Sequence, residues 1–240
     1  GAFMKDLESA RVLATHLTET GTRFGVATEA IISDMSRPLG RFVGNALEVY
    51  EALKILRNEP IEGTETTLEL SLALTVGMLA LCGSDEATAR DLASRRLSSG
   101  EALEAFRKNI LLQGGDPSVC DNPEMLIDRN LLEIPIRAAK AGKISAIDTA
   151  AVGNAVLGLG GGRIRAEDEI DFSVGVSIEA TLGDAVAAGD VIGTVFARRQ
   201  PQAELAAYAV SNAFTIAETL TRDSTPLILE RIQNREPVGR

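Results

Sequence analysis

The sequence contains no tryptophan, and aromatic residues make up only 4% of its 240 residues. Proteins that bind single-stranded nucleic acid stack the bases on aromatic side chains, so no such platform is expected here. The formal net charge is -10, with 34 acidic and 24 basic residues. Because nucleic-acid binders need a basic surface, no nucleic-acid partner is expected. A local pocket can still oppose the global charge and hold a small anion.

Cysteine and histidine are equally scarce. The two cysteines, Cys82 and Cys120, do not form a CxxC pair, and we expect both to be free thiols in a reducing cytoplasm. So few ligands argue against a zinc site built from cysteine and histidine. A serine triad would have to use His16, which lies off the apolar face of its predicted helix and is expected to be solvated.

Long apolar runs are missing as well. The most apolar stretch, residues 68–82, contains Glu69 and is shorter than the roughly 20 residues that span a bilayer. We therefore expect a buried core helix there and no membrane partner. The first residues show no basic segment followed by an apolar one, so no secretory leader is expected.

The first half of the chain has the pattern of an α/β fold, with a helix, a strand, a loop and a helix in succession. These elements are predicted over residues 6–20, 26–33, 34–41 and 45–57. Asn45 and Glu48 have the spacing of a capping box at the start of the last of them. Three further helices are predicted over residues 66–81, 84–97 and 100–113. A proline-containing loop at residues 116–129 then marks a domain boundary.

The second half alternates short strands with helices. The predicted strands are residues 134–139, 143–146, 174–181 and 191–197, and the predicted helices are residues 148–159 and 202–221. Two Gly-Asp turns, at Gly183 and Gly189, separate β-branched runs and indicate antiparallel strands. The glycine-rich residues 158–163 follow a helix, which favours a helix terminus over a phosphate-binding loop.

The most informative stretch is residues 33–53, with the sequence SDMSRPLGRFVGNALEVYEAL. It follows a predicted strand and leads into a helix, where α/β proteins place ligands. Other blocks lie along the chain in the order GAFMK, QGGDPSV, GGGRIRAEDEIDFSVG and STPLILERI. Taken together, the ordered blocks resemble the pyrimidine nucleoside phosphorylase / thymidine phosphorylase family over nearly the whole chain.

The resemblance implies an α/β fold in two domains. Residues 1–120 would be part of the large α/β domain, and residues 130–240 a small carboxyl-terminal α/β domain with antiparallel β-hairpins. The family cleaves thymidine or uridine with phosphate, which attacks the anomeric carbon and yields a free base and a pentose 1-phosphate. The full-length parent is expected to be a homodimer in the cytoplasm, with no organic cofactor.

The block GAFMK resembles the tail of the family's KxGSGAFMK segment, so we expect this chain to be a carboxyl-terminal part of the enzyme. The groups that hold phosphate and base lie upstream in the family, and no catalytic residue is assigned to this chain. The alternative is a non-catalytic module that docks on a separate amino-terminal half.

The resemblance also implies part of a monovalent-cation site, with potassium as the expected ion. Leu39 and Phe42 would supply backbone carbonyls and Glu51 a carboxylate, and the remaining ligands would come from upstream. The family often has alanine in place of Phe42, a change that a carbonyl ligand tolerates. The residues alone leave two other interpretations of Glu51 open, namely an ion pair with Lys54 or exposure to solvent. In the same loop Asp34, Ser36 and Arg37 could face a substrate or simply form turns.

Overall fold

The structure, a computed structural model, describes residues 4, 6–219 and 225–233. Its helices are α1 Leu7–Arg23, α2 Asn45–Leu56, α3 Glu65–Leu81, α4 Glu86–Ser98, α5 Glu101–Leu112, α6 Thr149–Val156 and α7 Gln200–Ala213. Its strands are β1 Glu29–Ser33, β2 Phe42–Val43, β3 Leu132–Arg137, β4 Gly142–Ile147, β5 Gly175–Ile178, β6 Ala185–Val186, β7 Val191–Ala197, β8 Phe214–Ala217 and β9 Ile228–Gln233. Helices combined with antiparallel sheets confirm the predicted α/β class. No helix among these residues is long and apolar enough to cross a bilayer.

Backbone contacts divide the described residues into two compact units. Unit 1 takes residues 6–34, 68–96 and 225–233, and unit 2 takes residues 35–67 and 97–219. The units alternate along the chain, so they do not coincide with the expected division into residues 1–120 and 130–240. That division of the family fold into domains stays a prediction.

Unit 1 contains a two-stranded antiparallel sheet of β1 and β9, against which α1 packs. The helix begins after Asp6, whose carboxylate accepts a hydrogen bond from the Ser9 N–H at 2.8 Å and so caps the first turn. Helical spacing predicts an inward face for α1 made of Leu7, Ala10, Leu13, Ala14 and Leu17. Of these only Ala14 is buried, while Leu13 and Leu17 are exposed, so this face is largely wrong.

The apolar part of α3 also differs from the prediction of a deeply buried helix. Within residues 68–81 the buried residues are Ala73, Val76 and Gly77, whereas Leu74 and Met78 are 46% and 60% exposed. Composition alone suggested burial on every side, but unit 1 offers this helix a packing surface on only one face. Unit 1 therefore leaves large apolar side chains at its surface.

Unit 2 holds the main hydrophobic core. An antiparallel sheet in the order β2-β5-β7-β3 and a second one in the order β6-β4-β8 enclose it together with α6 and α7. Gly193 of β7 lies so close to β5 that an added Cβ would be 2.4 Å from the Ser177 carbonyl oxygen, so glycine permits this strand spacing.

Two predicted helices in unit 2 end early. The helix expected over residues 202–221 ends at Ala213, and the chain continues as β8, which pairs with β4. Ile216, which lies within the predicted helix range, is buried in that strand instead. Residues 220 and 221 lie outside the described residues. The helix expected over residues 148–159 ends at Val156 and is followed by a π turn, Leu157–Gly161.

Two of the predicted loop features are confirmed. The Asp184 carboxylate accepts the Thr181 N–H at 2.8 Å, and the Asp190 carboxylate accepts the Ala187 N–H at 2.7 Å, which closes both Gly-Asp turns. Both turns connect strands of different sheets, because β6 pairs with β4 while β5 and β7 pair with each other. In the glycine-rich segment Gly160 has a φ of 95°, the left-handed conformation that ends helices.

Candidate functional site

The candidate site lies in unit 2, where residues 35–41 lead through β2 into α2. Strand β2 is held against β5, with Phe42 opposite Ser177. The Glu48 carboxylate accepts the N–H of Gly44 at 3.1 Å, one residue before the Asn45 that the capping-box spacing predicted as its partner. Gly44, rather than Asn45, is the residue at the cap, and the Asn45 amide instead donates to the carbonyl of Gly161 at 2.8 Å. The start of α2 is therefore fixed in position.

Glu51 is the buried charge at the centre of the site. Only 4% of the residue is exposed, although it lies on a helix. Its Oε2 accepts hydrogen bonds from the backbone N–H groups of Arg41 at 2.9 Å and Phe42 at 3.1 Å. Its Oε1 accepts the hydroxyl of Thr67 at 2.6 Å. The carboxylate therefore ties α2 to the chain entering β2 and to the first turn of α3.

Both simpler interpretations of Glu51 are wrong. The side chain is not in solvent, and Lys54 pairs with Glu59 at 2.8 Å rather than with Glu51. The hydrogen bond to Glu59 raises the pKa of Lys54. Glu59 also pairs with Arg57, and these contacts, that with Arg57 foremost, lower its pKa to about 2. Lys54 of α2 and Arg57 directly after the helix therefore both pair with Glu59, and not with Glu51.

The two other predicted site residues lie beside Glu51. The carbonyl of Leu39 accepts the hydroxyl of Thr66, which adjoins the Thr67 that binds Glu51. The Phe42 ring packs edge-on against Tyr50 with centroids 6.0 Å apart, so α2 accommodates its bulk. Between them, Gly40 lies so close to Glu51 that an added Cβ would be 1.9 Å from Oε1. Leu39 and Phe42 therefore lie in the loop that Glu51 holds through its N–H contacts, and their role as cation ligands stays a prediction.

The chemistry of this cluster is compatible with a monovalent cation. In the described part of the chain, no lysine or arginine side chain lies within ion-pair distance of Glu51. Three hydrogen bonds therefore offset the cost of burying its carboxylate. A carboxylate oxygen has about two acceptor positions, and Oε1 uses one of them. Among the described residues, no three carboxylate, imidazole or thiol side chains are placed so that they could hold a metal ion together. A cation at Glu51 would therefore depend on one carboxylate and on carbonyl oxygens.

A cleft of about 620 Å³ opens next to the cluster, within unit 2. Its wall includes Arg37, Arg41 and Thr66 on one side and Glu179 and Thr181 on the other. Arg41 links the two features, because its backbone N–H binds Glu51 while its side chain lines the cleft. Of the loop residues that could face a substrate, Arg37 lines this cleft.

Several contributors could not be found by sequence reasoning. Thr66 and Thr67 stand 27 and 16 residues from their partners Leu39 and Glu51, and no motif connects them.

The predictions for the histidine and the two cysteines are confirmed. His16 is exposed, and Cys82 and Cys120 are both free thiols, the second of them buried. Burial raises the pKa of the Cys120 thiol.

Comparison with known proteins agrees with the resemblance. Residues 143–217 match the family described as the pyrimidine nucleoside phosphorylase C-terminal domain. A pyrimidine-nucleoside phosphorylase of Geobacillus stearothermophilus is 41% identical over 202 residues, which cover 83% of this chain and 46% of that protein. One from Staphylococcus aureus (strain USA300) is 37% identical over 234 residues, 97% of this chain and 52% of that protein.

The chain spans about half the length of the curated relatives that it matches. The match to the family domain falls in unit 2, which also holds the Glu51 cluster and the cleft. The order of the sequence blocks, the α/β architecture and these relatives all agree. The chain therefore belongs to the pyrimidine nucleoside phosphorylase family and corresponds to the carboxyl-terminal portion of its members.

Proposed function

We propose that this chain takes part in the phosphorolysis of pyrimidine nucleosides as the carboxyl-terminal part of a phosphorylase. The observation that carries the proposal is the alignment of 97% of the chain with 52% of a pyrimidine-nucleoside phosphorylase. Thymidine and uridine are the proposed substrates, with phosphate as the attacking group. We further propose that the complete enzyme is a cytoplasmic homodimer and a pentosyltransferase.

In this proposal the chain helps to hold the substrate-binding groups in position, and its own side chains do not react with the substrate. The loop at residues 39–42 is held rigid by the buried Glu51, which accepts the N–H groups of Arg41 and Phe42. A loop fixed in this way can keep neighbouring binding groups within the narrow geometry that transfer of a pentosyl group to phosphate requires. The reactive groups themselves would be supplied by the part of the enzyme that precedes this chain in the relatives.

The direct test is a phosphorolysis assay with uridine, thymidine and phosphate. The chain alone is expected to release no pyrimidine base above the uncatalysed rate. Mixing or co-expressing it with the amino-terminal half of its own parent enzyme is expected to restore base release. Activity of the chain alone would overturn the expectation that it needs another half, and inactivity of a well-folded mixture would overturn the proposed reaction.

A second candidate function is a non-catalytic module that docks on a separate amino-terminal half. It is favoured by the apolar side chains that unit 1 leaves exposed, such as Leu17 on α1 and Met78 on α3, which are 56% and 60% exposed. Exposed apolar surface of this kind commonly marks an interface. Co-purification with an amino-terminal half but no phosphorolysis by the pair would support this candidate.

We also propose that the carbonyls of Leu39 and Phe42 and the carboxylate of Glu51 bind a monovalent cation, with potassium the expected ion. When bound, the ion would neutralise the buried charge of Glu51 and stabilise the loop. The test is the melting temperature of the chain in potassium chloride against choline chloride at equal ionic strength. Potassium is expected to raise it for the unmodified chain but not for Glu51→Gln. Equal melting temperatures in both salts would count against the site.

A further inference from the structure

We propose that Thr66 and Thr67 are positioning residues of the monovalent-cation site, each of which orients one ligand group by a hydrogen bond. The inference rests on the cation site proposed above and extends it to the first turn of α3. Groups that hydrogen-bond to metal ligands fix the direction of the ligand atoms, and their removal typically weakens metal binding by about 10- to 100-fold. The contacts of the two threonines match this relation.

The first observation is that neighbouring residues of one helix turn hold two of the proposed ligands. Helix α3 begins at Glu65, so Thr66 and Thr67 lie in its first turn. The hydroxyl of Thr66 donates to the carbonyl oxygen of Leu39, which lies in the loop before β2. The hydroxyl of Thr67 donates to Oε1 of Glu51 on α2 at 2.6 Å. The two threonines therefore fix a carbonyl and a carboxylate from different elements relative to each other.

The second observation is that both ligand oxygens keep acceptor capacity. A carbonyl oxygen has two lone pairs, and a carboxylate oxygen has about two acceptor positions. Among the described residues, Thr66 is the only donor to the carbonyl of Leu39. Within the same residues, Thr67 is the only donor to Oε1 of Glu51. Each oxygen therefore retains a position that a cation can take, and the hydroxyls orient the ligands without replacing the ion.

The third observation is that these contacts lie beside the cleft. An added Cβ at Gly40, which lines the cleft, would be 1.9 Å from Oε1 of Glu51 and 2.6 Å from the hydroxyl oxygen of Thr67. Any side chain at this position would displace one of the two groups, so glycine permits their contact next to the cleft wall. Thr66 lines the same cleft and Leu39 is exposed. The loop that Thr66 holds is therefore accessible to an ion from solvent.

The test is the potassium concentration at which half of the full rise in melting temperature of the chain is reached. Potassium chloride replaces choline chloride at constant ionic strength, so that only the specific effect of the ion is measured. Thr66→Val and Thr67→Val remove the hydroxyl, and each is expected to raise this concentration by about tenfold or more. Thr66→Ser and Thr67→Ser keep the hydroxyl and are expected to bind potassium more tightly than the valine variants.

The matched control is Thr75→Val, because the Thr75 hydroxyl donates only to the carbonyl of Ser71 in the same helix. This variant is expected to change the half-saturating potassium concentration by less than about twofold. Serine variants as weak as the valine variants, or a Thr75→Val variant as weak as Thr67→Val, would contradict the positioning role, because the effect would then not follow the two hydroxyls.

A purely structural role predicts a different result. Removal of a hydrogen bond lowers stability whether or not potassium is present, so the melting temperature in choline chloride measures the structural part. Only a positioning role shifts the half-saturating potassium concentration. Valine variants that are less stable in choline chloride but have an unchanged half-saturating concentration would overturn this inference and leave the cation site standing. An unmodified chain that does not respond to potassium would overturn the cation site and this inference with it.

Carbon-13 chemical shifts of the unmodified chain during a potassium titration give a readout that needs no variant to fold. The methyl groups of Thr66 and Thr67 are expected to shift together with the carbonyl carbon of Leu39, because each hydroxyl is bonded to an oxygen whose charge the ion changes. The methyl group of Thr75 is expected to stay unchanged. A potassium-dependent melting temperature without shifts at Thr66 and Thr67 would overturn the inference.

Discussion

The carboxylate of Glu51 accepts a hydrogen bond from the backbone N–H of Phe42 at 3.1 Å, nine positions earlier in the chain. The same oxygen accepts the N–H of Arg41, so a helix residue fixes the backbone that enters a strand. Glu51→Gln places an amide in a pocket of donors and leaves at least one of them unsatisfied. We expect the variant to lower the free energy of unfolding by about 2–4 kcal/mol.

Urea denaturation followed by circular dichroism measures this effect. Glu133→Gln is the matched control, because Glu133 is an exposed carboxylate on β3, and its expected cost is below about 0.5 kcal/mol. Similar costs for the two variants would show that Glu51 does not hold the loop.

Thr67 is expected to act with Glu51. Its hydroxyl donates to Glu51 Oε1 at 2.6 Å, so Thr67→Val is expected to cost about 1–2 kcal/mol, the range for a hydrogen bond to a charged group. In a double-mutant cycle with Glu51→Gln we expect a coupling energy of about 1 kcal/mol. Thr75→Val serves as control, because that hydroxyl donates only to the Ser71 carbonyl of its own helix. Additive effects of Thr67→Val and Glu51→Gln would contradict the contact.

Two glycine substitutions in unit 2 are expected to have opposite effects. In Gly193→Ala the new Cβ would lie 2.4 Å from the Ser177 carbonyl oxygen, so β5 and β7 must separate, at a cost of about 2 kcal/mol or more. Gly153→Ala on α6 meets no atom within 4 Å and is expected to stabilise the protein by about 0.5–1 kcal/mol. Melting temperatures that move in the same direction for both variants would contradict this account.

Glu29 in unit 1 is a buried carboxylate without hydrogen-bond partners. Its side chain is 4% exposed, both oxygens lack hydrogen-bond partners, and Arg231 is 3.8 Å away. Glu29→Met keeps most of the volume and removes the charge, so we expect an increase of about 1–3 kcal/mol in the free energy of unfolding. Glu86→Met is the control, because Glu86 is 3.9 Å from the same arginine but exposed, and it is expected to change stability by less than about 0.5 kcal/mol. A destabilised Glu29→Met variant would show that the charge is needed there.

The pH dependence of stability should reflect Arg198. Its guanidinium pairs with Asp171 at 2.6 Å and Asp128 at 2.7 Å. The hydrogen bond from Arg198 lowers the pKa of Asp171; the N–H of Asn130, followed by Arg198, lowers that of Asp128. A carboxylate whose pKa is lower in the folded state stabilises the fold fully above its unfolded pKa of about 4. This contribution is lost as the pH falls through the lower, folded value.

We therefore expect the chain to lose stability as the pH falls from about 4, and Arg198→Gln to show a shallower loss in that window. Chemical denaturation at several pH values below about 5 measures both slopes. Arg199→Gln, which removes the neighbouring exposed charge, should retain the slope of the unmodified chain. Equal slopes for Arg198→Gln and the unmodified chain would contradict the role of this ion pair.

Local sequence signals were sufficient wherever a contact spans a few residues. The two Gly-Asp turns follow from spacing, because each carboxylate binds an N–H three positions away, while the predicted partner of Glu48 was wrong by one residue. The proximity of Leu39, Phe42 and Glu51 was implied by family resemblance rather than by spacing. Whether a cation binds there stays a proposal.

Predictions from the local sequence pattern were wrong where the burial of a residue, or the end of a helix, depended on distant segments of the chain. The apolar face of α1 and the apolar sequence of α3 predicted burial that unit 1 does not provide for Leu17 or Met78. The end of α7 was also missed, because helical periodicity continues past Ala213 while pairing with β4 draws the next residues into β8. The strand that decides the end of α7, β4, lies far earlier in the sequence.

The amino-acid sequence by itself determined the resemblance of the chain to its family, the α/β class and the two Gly-Asp turns, since these depend on residue order and short-range contacts. Only the tertiary structure decided that Glu51 is buried without a cationic partner, that Thr67 binds it, and that the buried Nε of Arg37 has no hydrogen-bond partner. The physical reason is that desolvation and hydrogen-bond satisfaction are set by all the atoms around a group, and most of those atoms come from residues distant in the chain.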